Sequence, residues 1–216
     1  MHAKLIVAGV LGAIFGAAAI SIAAPDLNLR GDRFRPLTYD ELDAAQKKLA
    51  DRSLAGPGRS GEGGPLNIQL RSPELAELSS PVSNYLRFRA PFPEKLKELA
   101  IMLTGRFWGG TYVWYSHRPF AIKAGLSEDL IRSLAAGARP ANMDADETTV
   151  YDFCSELLAT RKVSDPTYKR FVERFNERAV VELVALMGSY HTTSALFAVE
   201  RYPLPPGKTE EIPRPM

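Results

Sequence analysis

The stretch PEKLKELAIMLTGRFWGGTYVWYSH, residues Pro93 to His117, decides the fold. Pro93 stands where a helix opens, since its missing N–H is not needed in the first turn. Leu96, Leu99, Ala100, Leu103 and Phe107 then recur at spacings of three and four, the stripe of an amphipathic helix. Gly109-Gly110 breaks that helix, and a second runs from about Thr111 to Ala124, ending at Gly125 as a C-terminal cap. Two helices joined by so short a connection pack as an antiparallel hairpin, so the unit of construction is helix on helix.

Reading outward gives the same grammar. Ser127-Glu128-Asp129 starts a helix that ends near Gly137, and the acidic run Asp144 to Glu147 favours the N-terminus of one reaching Thr160, with Val150, Phe153, Cys154, Leu157 and Leu158 on its apolar side. Asp165-Pro166 opens a short helix to about Phe175, and Glu177 to Glu200 forms the last and most apolar one. On the N-terminal side, Ser72-Pro73 opens a helix that is expected to be interrupted near Pro81 and to resume through Tyr85, Leu86 and Phe88. Thr38 to Glu41 reads as a capping box that opens a charged helix to about Ser53. No stretch alternates with period two between turn signals, so the fold class is all-α, about eight helices in antiparallel hairpins.

Between these elements lie segments of other character. Ala55 to Pro65 is a glycine-rich loop containing Gly56-Pro57-Gly58-Arg59-Ser60-Gly61, a formal GxGxxG. A nucleotide fingerprint needs a strand before it and a helix after it, and neither flank fits. From Pro203 the tail holds five prolines in fourteen residues and is expected to be extended or mobile. At the other end, Leu5 to Ala24 carries no charge and follows a short stretch with one lysine, the pattern of an export signal. Ser21 and Ala23 fit the small positions before a cut after Ala23. The same run is long enough to anchor in a bilayer if it is not removed. The division expected is therefore a signal or anchor (1–23), an N-terminal extension with one helix and the glycine-rich loop (24–66), a helical domain (67–202) and the proline-rich tail (203–216). The destination expected is the periplasm or the medium, or a membrane anchored through residues 5–24.

Charge and cysteine content exclude several functions. The 216 residues carry 27 basic against 25 acidic groups, scattered rather than gathered in a stripe, so there is no footprint for nucleic acid. One cysteine, Cys154, rules out an intramolecular disulfide, a CxxC redox pair and a multi-thiolate zinc site. No metal site and no cofactor motif is read from the sequence, and the partner expected is a small molecule.

Chemistry is sought where polar groups interrupt apolar faces, because a buried charge or imidazole must be compensated. Glu98 lies among Leu96, Leu99 and Ile101; His117 lies one turn after Val113 and one before Ala121 in the next helix. The two can meet across the hairpin, where a carboxylate fixes an imidazole's tautomer, and act as a proton relay. The other reading is a packed histidine with a glutamate on the solvent face. Trp108, Tyr112, Trp114 and Tyr115 supply an aromatic wall suited to a cyclic ligand, to a core or to a subunit interface, and Arg106 could hold a carboxylate or lie at the surface. His191 reads as a packing or interface residue, and Cys154 as a small hydrophobe without electropositive neighbours. Ser116 and His117 are not a dyad, since adjacent helical residues diverge by about 100 degrees.

The runs Leu86-Arg87-Phe88, Pro93 to Ile101, Trp108-Gly109, Tyr112 to His117, Lys123 to Ser127, Val150 to Phe153, Val163-Ser164-Asp165 and Val180 to Val184 resemble the carboxymuconolactone decarboxylase family, part of the alkylhydroperoxidase D-like (AhpD-like) superfamily. The likeness covers about residues 56–205. It implies an all-α AhpD-like bundle, homo-oligomers, and two chemistries: cofactor-free decarboxylation of a carboxymuconolactone, or peroxidase activity through a CxxC pair served by a glutamate and a histidine. Glu98 and His117 fall at the positions of that relay, but Gly110 and Val113 stand where the two cysteines would be. Peroxiredoxin activity, the label the resemblance carries, is thus not supported by the cysteine count. The function expected is a cofactor-independent lyase, with a non-catalytic oligomeric binding protein of the same fold as the alternative and a peroxidase-like antioxidant protein, without the CxxC pair, as the last.

Overall fold

The computed structural model describes residues 24–55 and 64–213. The export segment and the formal GxGxxG lie outside the described residues. Among those described, nine α-helices and one 3-10 turn are present and no strand: α1 (Ala44–Ala55), α2 (Leu66–Gln69), α3 (Pro73–Phe88), α4 (Glu94–Phe107), α5 (Thr111–Lys123), α6 (Glu128–Ala135), α7 (Ala145–Thr160), α8 (Asp165–Phe175) and α9 (Glu177–Glu200). No helix among them is long and apolar enough to cross a membrane.

The central element is α4. Every residue from Leu96 to Gly105 is buried, because α5, α7 and α9 pack around it and α6 closes a further side. The one-sided amphipathic helix expected from the sequence is instead wrapped on all sides, and Lys97, Glu98 and Thr104 are buried along with its leucines. Thr104 donates its hydroxyl to the Ala100 carbonyl at 2.8 Å, and Lys97 reaches the Arg87 carbonyl at 3.0 Å, so neither enters the core unpaired. The hairpin turn depends on Gly109, whose φ of +58° lies in the left-handed region that costs glycine nothing. The Gly110 N–H closes the turn on the Gly105 carbonyl at 2.8 Å and sets α5 back along α4.

Helix starts follow local chemistry. Ser127 accepts from the Leu130 N–H, Asp144 and Glu147 form a reciprocal capping box, and Asn176 accepts from the Ala179 N–H, which fixes where α6, α7 and α9 begin.

Three expectations are corrected. The helix α3 is not interrupted at Pro81 but runs through it. Pro81 itself is exposed, and α3 continues past it without the hydrogen bond that its nitrogen would have given to the Glu77 carbonyl. The Thr38–Glu41 capping box forms but serves only the 3-10 turn Tyr39–Glu41, and the charged helix starts afresh at Ala44. The tail is docked: Ile212 is 2% exposed in the main core and Glu211 accepts from the Trp114 indole N–H at 3.1 Å.

The N-terminal extension builds a smaller apolar cluster around Leu27, Leu42, Leu49, Leu66, Leu70 and Ala76. One link to the bundle is Glu200, the last residue of α9 and wholly buried, whose carboxylate accepts from the backbone N–H groups of Asp32 at 2.9 Å and Phe34 at 2.8 Å.

Candidate active site

The hairpin brings Glu98 of α4 against His117 of α5, with Glu98 Oε2 2.8 Å from His117 Nδ1. Glu98 is fully buried and His117 is 6% exposed. The other carboxylate oxygen, Oε1, accepts from Nη2 of Arg87 at 3.0 Å, a residue at the C-terminal end of α3. A carboxylate paired with a guanidinium can only accept, so Nδ1 of His117 carries the proton and Nε2 is left with its lone pair. Arg87 neutralises Glu98, so the histidine is not required as a counter-ion. Burial holds the His117 imidazole below its ordinary range even though the Glu98 bond pulls the other way, and the positive charge of Arg87 adds to the lowering. The resting histidine is thus a neutral, oriented imidazole with Nε2 as its free acceptor.

His117 lines a cavity of about 240 Å³ between α2, α3, α5 and α9. Arg87, Tyr112, Tyr190 and Ser189 share its wall, with Val113, Leu186 and Phe197 as the apolar part. Glu98 lies behind His117 and does not line the cavity. Tyr190 stands edge-on to His117, ring centroids 4.8 Å apart and planes at 87°. Burial pushes its hydroxyl well above the ordinary phenol range, so it stays protonated. The volume suits a single small ring compound.

Of the residues expected at the site, Glu98, His117 and Tyr112 are assembled at or beneath this cavity, and three are elsewhere. Trp108 donates its indole N–H to Nδ1 of His191 at 2.7 Å on an exposed patch beyond the hairpin turn. Trp114 is 1% exposed but one residue round the helix from Val113, so it meets the tail at Glu211 rather than the cavity. Arg106 turns toward α6 and donates Nε to the Ala135 carbonyl at 3.0 Å. Two residues were missed. Arg87 sits in the Leu86-Arg87-Phe88 run but carries no periodic signal of a site. Tyr190 continues the α9 stripe of Leu183, Leu186 and Met187 and could have been flagged as a hydroxyl on a core-facing row.

Cys154 is fully buried in α7, and burial alone pushes its thiol far up, which leaves it inert. Among the described residues no group of three His, Cys, Asp or Glu side chains is arranged to hold a metal ion.

No protein-family model matches this sequence, and no curated protein matches it either. Solved structures do share its fold. One is a protein of unknown function from Agrobacterium tumefaciens, for which a role as the antioxidant defence protein AhpD has been suggested; it aligns with a TM-score of 0.55 at 15% identity, over 64% of this chain and 96% of that one. Another is a cysteine-to-alanine variant of the debrominase Bmp8 in complex with 2,3,4-tribromopyrrole, with a TM-score of 0.58 at 13% identity over 81% of this chain and 92% of that one. The fold is therefore the all-α AhpD-like bundle.

Proposed function

We propose that this chain is a cofactor-independent enzyme that moves a proton on a small ring compound bearing a lactone or carboxylate, with His117 as the catalytic residue and Glu98 positioning it. The observation that carries the reading is the Glu98–His117 contact of 2.8 Å at the wall of a ring-sized cavity, with Arg87 holding the second carboxylate oxygen. A neutral imidazole whose Nδ1–H is committed to a carboxylate offers Nε2 as a base, and returns the proton as an acid in the next step. In a decarboxylation the bond from carbon to the carboxylate breaks, its electron pair enters a conjugated carbonyl of the substrate, carbon dioxide leaves, and the proton that ends on carbon comes through His117 from solvent. The substrate supplies its own electron sink, which is what a conjugated lactone does. That the debrominase is solved with a halogenated pyrrole fits an occupant of this size.

Export directed by the Leu5 to Ala24 run and assembly into homo-oligomers belong to the same proposal. The test is solvent deuterium incorporation or carbon dioxide release across a panel of unsaturated lactones and their carboxylates, followed by NMR. Turnover is expected in the wild type and a loss of 100-fold or more in His117→Ala, as befits a general acid–base group. A His117→Ala protein with undiminished turnover refutes the assignment. Ligand binding without turnover, unchanged in both His117→Ala and Glu98→Gln, favours instead a binding protein that keeps the fold without the chemistry, a reading suggested by Gly110 and Val113.

A further inference from the structure

The carboxylate of Glu98 has two limbs. One ends on His117 and the other on Arg87, which lines the cavity together with Tyr190. A phenol hydroxyl both donates and accepts, so an occupant of the cavity can take its hydrogen bond. Both Tyr190 and His117 line the same cavity with their rings 4.8 Å apart. Arg87 is itself fixed, held by Glu98 at 3.0 Å and lying over the rings of Phe88 and Phe120 at 5.0 and 5.5 Å. Two other hydroxyls of the lining are already spent on backbone carbonyls, Ser116 on Val113 at 3.1 Å and Thr193 on Ser189 at 2.9 Å.

We propose that Tyr190 is a second catalytic residue of this cavity, donating a hydrogen bond from its hydroxyl to a substrate oxygen that becomes negative while His117 handles the proton, so that the substrate is a ring whose reacting carbon is conjugated to a carbonyl or phenolic oxygen. The inference rests on the reading of His117 as the proton-transfer residue. In the step itself a C–H bond next to the carbonyl breaks, the proton passes to His117 Nε2, and the electron pair moves onto the carbonyl oxygen, which accepts the Tyr190 hydrogen bond. The proton returns to carbon from His117 as the carbonyl re-forms, and no oxidant or reductant is consumed. Donors arranged for the oxygen that gains charge stabilise the transition state more than the bound ground state. Arg87 is a positioning residue, acting through Glu98.

The probe is 4-nitrophenol, whose phenolate stands in for the enolate oxygen and is seen directly by its visible absorption. Wild-type protein is expected to bind it with the phenolate form enriched below the solution pKa of the probe. Tyr190→Phe removes one hydrogen bond to a charged oxygen, so affinity for the phenolate falls about tenfold or more and the bound probe shifts toward the phenol form. Tyr190 replaced by 3-fluorotyrosine, a stronger donor of the same shape, shifts the bound probe the opposite way, toward phenolate, and supplies the test if the phenylalanine variant does not fold. Tyr190→Phe indistinguishable from wild type, no effect of fluorination, or no binding of nitrophenol to the wild type up to millimolar concentration each overturns the proposal. Turnover separates the two readings: undiminished turnover in His117→Ala removes the role of His117, whereas the probe readout of Tyr190→Phe decides that of Tyr190.

Discussion

Replacing Glu98 by glutamine changes one oxygen for an N–H₂ group and is expected to destabilise the fold and reverse the histidine. The carboxylate is wholly buried and serves two partners, His117 at 2.8 Å and Arg87 at 3.0 Å. Glutamine can offer its one carbonyl oxygen to Arg87 but must then present N–H to His117 Nδ1, which moves the ring proton to Nε2 and turns the free base into a donor. Breaking one side of a buried ion pair costs about 3–5 kcal/mol. Here the Arg87 side chain keeps 18% exposure, so part of its lost charge partner is made up by water, and glutamine keeps one acceptor. We expect about 2–3 kcal/mol, which at about 2–4 °C per kcal/mol for a chain of this size lowers Tm by roughly 5–10 °C. The assay is urea and thermal unfolding of Glu98→Gln, Arg87→Met and the double variant. In the double variant the guanidinium left behind is gone, so its loss is expected to be smaller than the sum of the singles by about 1–3 kcal/mol. A Glu98→Gln protein within about 0.5 kcal/mol of wild type, or strictly additive losses, would refute the charge network as described.

Other outcomes follow from single observations. Because burial lowers the imidazole of His117 from its ordinary 6.5, the unfolded chain takes up that proton first as pH falls. The stability linked to it is therefore complete above about pH 6.5 and is lost as pH falls toward the folded value, a slope that His117→Gln should flatten in unfolding measured from pH 8 to pH 5. Ile212→Ala empties a core position that is 2% exposed and is expected to cost about 2 kcal/mol or more; an unchanged urea midpoint would mean that the tail does not contribute to the core. Glu200→Ala removes the acceptor of the Asp32 and Phe34 N–H groups, so both amides should lose hydrogen-exchange protection while α7 keeps its own. Cys154 should resist a thiol reagent in the native protein and react at once in denaturant; rapid native labelling would contradict its burial.

Much of the fold is written in local chemistry. The starts of α6, α7, α8 and α9 are marked by Ser127, Asp144 with Glu147, Asp165-Pro166 and Glu177, and these signals need no tertiary partner to be read. Pro81 misleads because the local cost of a helical proline is weighed against the packing of the whole helix, which is a property of the folded molecule. Glu98 and His117 are legible as a pair because each breaks an apolar row and the hairpin between them is short. Trp108, Trp114 and Arg106 share that segment, but composition carries no direction around a helix, and a step of one residue turned Trp114 from the cavity to the tail. Arg87 reaches Glu98 from another helix through a long side chain, and Tyr190 belongs to the site only because α9 packs against α4 and α5. Both contacts are made by tertiary structure, and no spacing within one element reports them.

Gly110 sets how closely the hairpin approaches α9. A Cβ built there would stand 3.2 Å from Ser194 Oγ and 3.3 Å from the Gly105 carbonyl, and that serine hydroxyl is buried without a partner. A side chain at 110 would need Ser194, on α9, or the turn at Gly105 to yield by a few tenths of an ångström. The close approach of the hairpin turn to α9 thus depends on the missing Cβ, and any larger residue there would be felt by the two helices, α5 and α9, that bound the cavity.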